Sequence, residues 1–561
     1  MKVAVVGSGV AGLAATWVLN EYSEHEVHLY EADRIGGHAN TVSFTIAGEV
    51  VDVDTGFIVF NPTTYPNFLR FLCLYPSLKA RIQATDMTFS VSRDSGAFEW
   101  GGASLGAVFC QAQHLLDPNH WRMLYDVVRF NACARRLLDP RTCGLYASEE
   151  LSIGEYLRRE EYSQSFIDNY LIPMTAAIWS TPPDKCALDF SARTLIQFMH
   201  NHHLLQIFGK PSWLTLAGGS KCYVNRILSN LPAAQLHLSR VKSAKVRKVH
   251  GIELKTASGE RAVYDHVIFA CHSDTALDIL RAGGGATPEE ERILGAFEWN
   301  ENVAVLHFDN ALMPERRATW SCWNYLTASE EDKDGRKKAN VDRVSLTYWM
   351  NALQHIPERD YGPLCVTLNP PFKPDPSRVL GEYHYEHPVL DAKAIRAQQE
   401  MPRIQGERGI SFAGAWLKYG FHEDGFTSGM RAAAALLRAR PSPSAKVSAS
   451  SDTGQSPSDT TLPFEILDAD RECEEDGATM LLALFFDVLE GTWLRAIIGA
   501  GLSVCMLAIR WLVQVDVAAQ EVGTGGRRTK ARPGSNAHGV RKGLKRGRRA
   551  QPATSKKKKR E

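Results

Sequence analysis

Three residues that can carry protons stand side by side late in the sequence: His422, Glu423 and Asp424, within "GAWLKYGFHEDGFTSGM", residues 414–430. Imidazole and carboxylate groups are the usual general acids and bases of enzyme sites. Most histidines are ordinary polar residues, and His422 differs because a Gly-rich stretch surrounds it. We therefore treat His422 and Glu423 as candidate catalytic residues. The other polar candidates are His307, His384 and Tyr419.

A second group of residues, at the amino terminus, has the spacing that binds a nucleotide. In "KVAVVGSGVAGLAATWVLN", a β-branched strand is followed by Gly7, Gly9 and Gly12 as G-x-G-x-x-G and then by a helix. The first glycine permits a tight turn, the second leaves space for a pyrophosphate, and the third lets helix and strand pack closely. The pyrophosphate would lie at the positive end of the helix dipole. Glu31, nineteen residues past Gly12, is placed to accept from the ribose hydroxyls.

The residues after Glu31 indicate which nucleotide binds. Gly36 and Gly37 form a second Gly pair, which suits a backbone that approaches the pyrophosphate again, and His38 follows them. This pattern resembles the FAD-binding motif of the flavin amine oxidase and phytoene desaturase superfamily, which often has Arg after the Gly pair. His38 would put a weaker, pH-sensitive charge near the phosphates. We expect non-covalent FAD, since residues 409–440 contain no Cys for a cysteinyl–flavin bond; a histidyl link through His422 is the alternative.

Other motifs resemble the same superfamily. "VVDVDTGFIVFNPTTYPNF", residues 50–68, places Asp54 and Gly56 after a strand, where relatives shape the flavin cavity. "WLTLAGGSKCYVNRILSNL" is similar to the Gly-Gly-Ser turn that precedes a helix in the superfamily. "LHLSRVKSAKV" and "YDHVIFACHS" resemble late strands of its nucleotide-binding sheet, and the first of these implies a backbone contact from Val241 to adenine.

Residues 409–430 resemble the last strand–turn–helix unit of the superfamily. "GISFAGAW" predicts a strand that ends at Gly414, and "GFTSGMRAAAALLRAR" predicts a helix with Thr427 or Ser428 near its start. In relatives, the N-terminus of this helix meets the pyrimidine edge of the flavin, where its dipole stabilises negative charge. Many relatives have an acid directly after the Gly, whereas here the acids come later. The residues of this unit that we expect to contact the cofactor are Gly414, Gly425 and Phe426.

Further motifs narrow the resemblance to one branch. "IPMTAAIWSTPP", "LTYWMNALQHI", "VTLNP" and "EYHYEHPVLD" are similar to uncharacterised bacterial and fungal NAD/FAD-binding oxidoreductases, over roughly residues 1–440. The branch implies a cofactor but no substrate. His307 lies on a strand resembling the one that carries an active-site Lys in amine oxidases, and it is our third candidate catalytic residue. The absence of Lys from 302–307 counts against simple amine oxidation.

These motifs predict an α/β fold: a Rossmann-type FAD-binding domain, GR2-like and split in the sequence, with an interleaved α+β substrate domain. The expected FAD-binding parts are residues 1–75, 216–285 and 396–440. The substrate domain is expected to be mostly helical over 76–215 and to form a sheet over 286–395. A Ser- and Pro-rich disordered linker at 441–461 precedes apolar membrane-associated helices at 479–513 and a disordered basic tail at 520–561.

The carboxyl-terminal region carries the signals for location. Residues 493–513 have fourteen uncharged residues between Arg495 and Arg510, so they cross a membrane only if both arginines snorkel. The alternative is an amphipathic helix docked on the core. We prefer a hairpin formed with 479–489, or two helices lying in the membrane interface. The tail, residues 527–561, has fifteen Lys or Arg and one Glu.

The tail resembles a nuclear-import signal and, at its end, a dilysine retrieval signal of the endoplasmic reticulum. We expect a protein on the cytosolic side of a membrane, the endoplasmic reticulum included, with the nucleus as the alternative. An anionic membrane surface is an expected partner of the tail, and nucleic acid is not. The eleven Cys form no C-x-x-C pair, so no metal site or redox dithiol is indicated.

We therefore expect an FAD-dependent oxidoreductase (an oxidase, dehydrogenase or desaturase) that takes a hydride from an organic substrate to flavin N5. The aromatic- and Leu-rich segments at about 80–215 favour an apolar or lipid-like small molecule as that substrate. Two alternatives stay open: a redox-neutral flavin-dependent isomerase, and an FAD-stabilised scaffold without catalysis.

Overall fold

The computed structural model describes residues 1–46, 48–138, 151–179, 191–206, 211–247, 251–331, 337–339, 345–438, 462–468 and 477–524. The predicted linker at 441–461 and most of the predicted tail lie outside the described residues. The chain divides into two compact units, Met1–Met506 and Leu507–Glu561. The first unit contains every candidate site residue.

The strands of the described residues are, in chain order, β1 Lys2–Val6, β2 Glu26–Tyr30, β3 Thr41–Ile46, β4 Glu49–Asp54, β5 Ile82–Thr85, β6 Phe89–Arg93, β7 Phe98–Gly101, β8 Trp213–Leu216, β9 Leu236–His237, β10 Val241–Val246, β11 Ile252–Thr256, β12 Arg261–Tyr264, β13 His266–Phe269, β14 Glu298–His307, β15 Trp323–Thr327, β16 Ser329–Glu331, β17 Lys337–Ala339, β18 Ser345–Trp349, β19 Cys365–Leu368, β20 Val379–Val389 and β21 Ile410–Phe412.

The α-helices of the same residues are α1 Val10–Tyr22, α2 Pro66–Leu74, α3 Pro76–Lys79, α4 Leu105–Val108, α5 Pro118–Cys133, α6 Ile153–Arg159, α7 Gln164–Phe166, α8 Ile172–Trp179, α9 Ala192–Asn201, α10 Lys221–Leu228, α11 Ser273–Ala282, α12 Pro288–Leu294, α13 Met350–Leu353, α14 Glu358–Tyr361, α15 Ala392–Glu400, α16 His422–Arg438, α17 Gly477–Glu490 and α18 Leu494–Thr524.

Segments far apart in the sequence form one parallel sheet. Among the described residues its order is β21-β13-β1-β2-β9, and each neighbouring pair is parallel. Val3 to Val6 of β1 are all buried, which explains the unbroken apolar run of this central strand. Because parallel strands end at one edge of the sheet, the turns that follow β1, β13 and β21 meet there. The predicted α/β fold with a split nucleotide-binding domain is confirmed, and the boundaries of its parts stay predictions.

A mixed sheet forms the second layer. Its order is β20-β14-β19-β18-β15-β6-β7, antiparallel except for the parallel pair β15 and β6. Buried residues of helices α5 to α9, such as Phe130 and Ile196, share one core with Val91, Leu346 and Val366 of this sheet. The segment expected to be mostly helical thus also supplies β6 and β7, because "FSVSR" can pair along β15.

Residues 462–468, which we call the strap, lie on the nucleotide-binding side. Asn67 of α2 donates from its side-chain amide to Leu467 O (2.8 Å), and Leu467 N–H donates to Asn67 Oδ1 (2.9 Å). Phe464 lies 6.1 Å from the Trp17 ring of α1, centroid to centroid. The strap therefore fastens the chain to α1 and α2 after the segment at 439–461.

Candidate functional site

The first glycine turn joins β1 to α1 and leaves space where a phosphate would lie. Gly7 has φ +106°, a region that favours glycine, and its N–H donates to Tyr30 O of β2 (2.9 Å). A Cβ added at Gly12 would lie 1.8 Å from Gly7 O, so α1 runs directly against the turn. A Cβ added at Gly9, the residue before α1, would meet no atom within 4 Å. The helix N-terminus therefore faces open space, which suits an anionic group.

Glu31 fixes the shape of this turn. Its Oε2 accepts from the N–H of Ser8 (2.9 Å) and from the Ser8 hydroxyl (2.5 Å). Its Oε1 accepts from the N–H groups of Ala32 and Asp33 (2.7 and 2.9 Å). The carboxylate thus links the end of β2 to the residues before α1. Its contact with a ribose stays a prediction.

The second Gly pair folds back onto the first turn. Gly36 and Gly37 both have positive φ, +97° and +57°. The N–H of Gly36 donates to Ser8 O (3.1 Å), and a Cβ added at Gly37 would lie 3.2 Å from Gly9 Cα. Any side chain at Gly37 would therefore crowd the first turn. The structure brings the two Gly motifs together as one backbone cradle.

Two basic side chains beside this cradle have nitrogen atoms without partners. His38 Nε2 and Arg34 Nε are buried, and neither has a hydrogen-bond partner among the described residues. The His38 ring packs against Tyr385 and His387, with centroids 4.8 and 5.0 Å away. The guanidinium of Arg34 lies 5.2 Å from the Tyr385 centroid. Burial, followed by repulsion from His387, holds the pKa of His38 well below its usual value.

Asp54 is the centre of a hydrogen-bond network that joins three segments. Its carboxylate accepts from the Thr41 hydroxyl (2.6 Å), the Ser220 N–H and hydroxyl (3.0 and 2.7 Å), and the Gln354 amide (2.7 Å). Burial raises the pKa of Asp54 to about 6. Asp54 therefore holds β3, β4 and the turn before α10 together. Its predicted contact with the cofactor is not tested by these bonds.

Helix α16 begins at His422, so the expectation of a start near Thr427 or Ser428 is wrong. The N–H of Phe421 donates to Asp424 Oδ2 (2.9 Å), which closes the first turn. Gly425 lies inside the helix, where the absence of a side chain permits close helix packing. A Cβ added at Gly425 would lie 2.5 Å from a Val10 methyl of α1. The start of α16 thus lies beside the start of α1.

His422 is packed into the interior at the start of α16. Its ring stacks on Phe57, with centroids 3.7 Å apart and planes 6° apart. Its Nε2 is hydrogen-bonded to the Tyr223 hydroxyl (2.8 Å). Burial lowers the pKa of His422 to about 3, so the imidazole is neutral at physiological pH. These contacts support a packing role for His422, and its catalytic role stays a prediction.

Glu423 joins the starts of two helices. Its carboxylate accepts from the N–H groups of Asn67 and Phe68 (2.9 and 3.0 Å), in the first turn of α2, and from the Thr427 hydroxyl (3.1 Å). The residue is buried, and burial raises the pKa of Glu423 to about 7. Such a carboxyl can hold or release a proton near neutral pH, which is the property that acid–base catalysis needs.

His307 has both ring nitrogens engaged in the mixed sheet. Its Nε2 is hydrogen-bonded to the Thr367 hydroxyl (2.7 Å), and its Nδ1 accepts from the N–H of Asp309 (2.9 Å). Burial lowers the pKa of His307 to about 4. The ring therefore cross-links β14 and β19, and none of its recorded partners belongs to the glycine cradle or to α16. Its catalytic role stays a prediction.

The other residues predicted to contact FAD lie in different parts of the fold. A Cβ added at Gly56 would lie 2.4 Å from His38 O, so Gly56 brings the chain against the cradle. Gly414 follows β21, and its N–H donates to the Ser428 hydroxyl of α16 (2.9 Å). Val241, buried on β10, shares a core with β1 and β2. The Phe426 ring is fully buried between α1 and α2, so its side chain packs the core instead of facing open space.

A small pocket opens beside the start of α16. Its lining residues are Thr64, Asn201, His202, Tyr419, Phe421, Glu423 and Asp424. Three of these side chains are aromatic, His202, Tyr419 and Phe421, and the Phe421 ring lies 4.8 Å from the His202 ring, centroid to centroid. Glu423 contributes the carboxyl whose pKa is raised to about 7. The pocket therefore combines aromatic rings with a group that can exchange a proton.

The cradle and its partners fit the pyrophosphate of FAD. Open space lies at the N-terminus of α1, and two adjacent Gly turns surround it. The unpartnered nitrogens of His38 and Arg34 supply the donors that an anionic group would accept from. A buried donor without an acceptor is costly, so a bound phosphate would relieve that cost. Among the described residues, no group of three or more His, Cys, Asp or Glu side chains could hold a metal ion.

Sequence reasoning missed several residues that shape the site. Tyr223 and Phe57 hold His422, and His387 with Tyr385 packs on His38. "EYHYEHPVLD", which contains Tyr385 and His387, marked the resemblance to a branch, but nothing in its spacing indicates that it faces the second Gly pair. Two histidines three residues apart on one strand were the signal that could have drawn attention to it.

Comparisons with known proteins identify the family of this chain. The family model described as flavin containing amine oxidoreductase matches residues 10–437. A CLA-producing fatty acid isomerase from P. acnes has 14% identity and a TM-score of 0.52, over 78% of this chain and 98% of that one. Cyclohexylamine oxidase from Brevibacterium oxydans has 14% identity and a TM-score of 0.51, with the same coverage. No curated protein matches significantly. The predicted superfamily is confirmed: the chain belongs to the flavin-containing amine oxidoreductase family.

Proposed function

We propose that this protein, whose family uses FAD, takes a hydride from an organic, apolar substrate. The observation that carries the proposal is the cradle at Gly9 with the unpartnered nitrogens of His38 and Arg34. Family membership supports a flavin oxidoreductase at the coarser level. The apolar character of the substrate is supported by the aromatic rings of Tyr419 and Phe421 at the pocket beside the start of α16.

FAD, when bound, supplies the redox chemistry by accepting a hydride. The chain supplies the rest. The N-terminus of α1 and the Gly36–Gly37 backbone would hold the pyrophosphate, and His38 and Arg34 would donate to it. The N-terminus of α16 provides a positive dipole that stabilises negative charge nearby. Glu423, with a pKa near 7, takes the proton that a substrate alcohol or amine loses as its hydride leaves.

The test is anaerobic reduction of the bound flavin. The full chain is reconstituted with FAD, and candidate long-chain amines, alcohols and lipids are compared with short polar amines of the same functional group. We expect apolar compounds to bleach the visible flavin absorbance faster. Absence of a flavin spectrum after reconstitution would overturn the cofactor assignment. Reduction by the short polar amines alone would overturn the substrate class.

A redox-neutral isomerase is the second candidate function. The observation that favours it is the lack of Lys along residues 302–307, where amine oxidases of similar fold carry one. Substrate turnover without consumption of any electron acceptor would select this reaction. A scaffold without catalysis is selected instead if flavin binds but no candidate substrate is reduced or isomerised.

We also propose that the protein works on the cytosolic side of a membrane, with the endoplasmic reticulum as the first compartment to examine. One helix window in the described residues, Leu494–Trp511, is long and apolar enough to cross a membrane. The basic tail would favour an anionic membrane surface, and the nucleus is the alternative location. Imaging the full chain with and without residues 479–561 separates these outcomes: loss of membrane staining supports the proposal, and loss of nuclear staining contradicts it.

A further inference from the structure

Helix α17 has two different faces, and the inner one docks on the body of the protein. Ala483 and Phe486 are buried at 4% exposure each, against Ala132 of α5. The Phe486 ring meets the ring of Tyr125 edge to face, with centroids 5.3 Å apart. Leu482 and Leu489 pack at the margin of the same small core. α17 is therefore part of the folded body and is not a free tail.

Charged groups reinforce this docking on both sides of the apolar contact. Arg136 donates two hydrogen bonds to the Asp487 carboxylate (2.6 and 2.7 Å). The Tyr125 hydroxyl donates to Glu490 Oε1 (2.7 Å). Glu490 also pairs with Arg495 at the start of α18 (2.7 Å), and Arg495 reaches Glu161 (3.2 Å). We call this set of ion pairs the clamp.

The outer face of α17 and the start of α18 are apolar and exposed. Leu481, Phe485 and Val488 of α17 are 56–68% exposed. The apolar residues of α18 that are exposed include Ile497, Ile498, Leu502 and Val504. None of the window Leu494–Trp511 is buried inside the described structure. So large a continuous apolar surface needs a partner to remove it from water.

The ends of the window indicate what that partner is. Trp493 and Trp511 flank it and are 71% and 64% exposed. A helix of the window's 18 residues is roughly 27 Å long, close to the thickness of a bilayer's hydrocarbon core. Tryptophan is enriched at both interfaces of membranes. Arg510 lies next to Trp511, where the charged end of its side chain can reach the headgroups.

We propose that the occupant of this surface is a lipid bilayer: α18 inserts through Leu494–Trp511, and the outer face of α17 lies in the interface beside it. This deepens, and rests on, the membrane association proposed above. A single crossing by α18 would put the body and the basic tail on opposite sides of the bilayer, so here α18, and not attraction of the tail to the cytosolic surface, holds the protein at the membrane. The clamp holds Arg495, at the start of α18, against Glu161 and Glu490. In this arrangement the start of α18 lies at the level of the lipid headgroups, and α5 lies outside the hydrocarbon core. The hairpin preferred from the sequence does not fit, because α17 is occupied on its inner face by α5.

The proposal has a consequence for the pocket. α5 shares its core with α9, since Phe130 of α5 and Phe198 of α9 belong to the same buried cluster. α9 supplies Asn201 to the pocket. The helical layer that the clamp fastens to the membrane anchor is thus the layer that forms one pocket wall. An apolar substrate dissolved in the bilayer would reach this layer without crossing bulk water.

The experiment uses the full chain, expressed in cells and loaded with FAD. Membranes are washed with high salt and then with alkaline carbonate. We expect wild type to stay in the pellet through both washes. Ile498→Asp/Leu502→Asp should move most of the protein to the soluble fraction, and Leu481→Asp/Phe485→Asp should release part of it. Leu105→Asp, which alters a still more exposed leucine, on α4, is the control that should change nothing.

The outcomes are distinguishable from failure of the proposed reaction, because the flavin spectrum of each variant reports folding and the cofactor separately. Release of wild type by salt alone would overturn insertion and leave only electrostatic attraction of the tail. Retention of Ile498→Asp/Leu502→Asp in the carbonate pellet would also overturn it. A soluble wild-type dimer that the same variant converts to monomer would show that a second copy, instead of lipid, covers the surface.

Discussion

At the scale of single residues, the protonation state of His38 decides whether its side chain places a positive charge beside the phosphate-binding cradle. A guanidinium in its place would be positive at every accessible pH, whereas a buried imidazole is neutral until an anion favours its protonation. Since the pKa of His38 is held well below its usual value, the free site is expected to be uncharged at this position near neutral pH. A pyrophosphate dianion nearby would raise that pKa again.

Binding of FAD is therefore expected to take up protons. FAD affinity should rise as the pH falls below neutral, because His38 gains charge in the complex and not in the free protein. Besides burial, four neighbouring groups lower the pKa of His38 by repulsion of positive charge: His387, His272, His422 and Arg34. Titration calorimetry in two buffers of different ionisation enthalpy measures the protons directly. His38→Ala should remove most of the uptake and flatten the pH dependence, and an unchanged uptake would contradict the assignment.

Gly9 offers a direct test of the cradle. Gly9→Val should abolish flavin binding while the protein still folds, because the added side chain enters space that no protein atom occupies. Flavin absorbance after desalting and a thermal unfolding curve measure the two effects. Gly477→Val is the matched control, since a Cβ there also meets nothing within 4 Å. Retention of stoichiometric FAD in Gly9→Val would place the pyrophosphate elsewhere.

Glu423 links protonation to stability. Its pKa of about 7 lies above the ordinary 4.5, so the folded state holds the proton more tightly than the unfolded state. The stability it contributes is fully present below pH 4.5 and is lost as the pH rises through 7. Glu423→Gln should thus gain stability relative to wild type between pH 5 and pH 8, by up to about 3 kcal/mol.

Chemical unfolding of the FAD-saturated protein at both pH values measures this difference. Glu407→Gln, the same change at an exposed acid, is the control. A constant difference between wild type and Glu423→Gln across the pH range would contradict a raised pKa. Loss of substrate reduction in Glu423→Gln with flavin retained would additionally support its proposed proton transfer.

The residues of the site differ in how far the sequence could predict them. The glycines could be placed because their role depends on the local chain: a positive φ or an absent Cβ shows in the motif itself. The neutral state of His422 could not be predicted from the sequence, because it depends on Phe57 and Tyr223, which lie far away in the sequence. Burial of Phe426 was missed for the same reason. Its aromatic neighbours come from α1 and α2.

At the scale of elements, the close contact of α16 with α1 joins the two halves of the site. A Cβ added at Gly429 would lie 2.0 Å from Ala11 O, and one at Gly425 would meet Val10. Glycines inside a helix reduce its intrinsic stability, so they are kept here for the approach of the two backbones. The start expected near Thr427 or Ser428 is thus more than one helical turn too late.

Gly429→Ala should push α16 away from α1 and weaken FAD binding without touching the cofactor. Overpacking of this kind costs about 1–3 kcal/mol. Unfolding by denaturant gives the stability change, and FAD titration gives the affinity. Ala435→Val adds bulk to the exposed side of the same helix and should have little effect on either. Equal effects of the two variants would contradict the packing role of Gly429.

At the scale of the whole molecule, the fold class could be predicted from the sequence, but the contacts between distant strands and helices could not. The strand–turn–helix motif at the amino terminus and the apolar run of β13 predicted a split parallel sheet, since such patterns depend on short segments. Membership of β6 and β7 in the mixed sheet depends on pairing with β15, more than two hundred residues away, and no local pattern records it. The docking of α17 on α5 was likewise invisible, because each helix alone resembles an amphipathic surface helix.

Truncation after residue 476 tests how the last helices relate to the rest. The family match ends at 437, so the shortened protein should still bind FAD. It should also expose Cys133, which packs at the margin of the α17 contact. Maleimide labelling in a Cys73→Ser/Cys505→Ser background compares the two lengths, since those two thiols are exposed in the full chain. Equal labelling of Cys133 in both forms would mean that α17 does not cover α5 in solution.

The strap has a thermodynamic consequence for this docking. Because Leu467 is hydrogen-bonded to Asn67, the chain is fixed to the body only ten residues before α17 begins. Binding of α17 to α5 is then an intramolecular event, governed by an effective concentration that a short tether sets in the millimolar range. Individually weak ion pairs can hold the helix under that condition. Cutting the chain between the strap and α17 would dilute the helix and weaken the contact, although every residue of the interface remained.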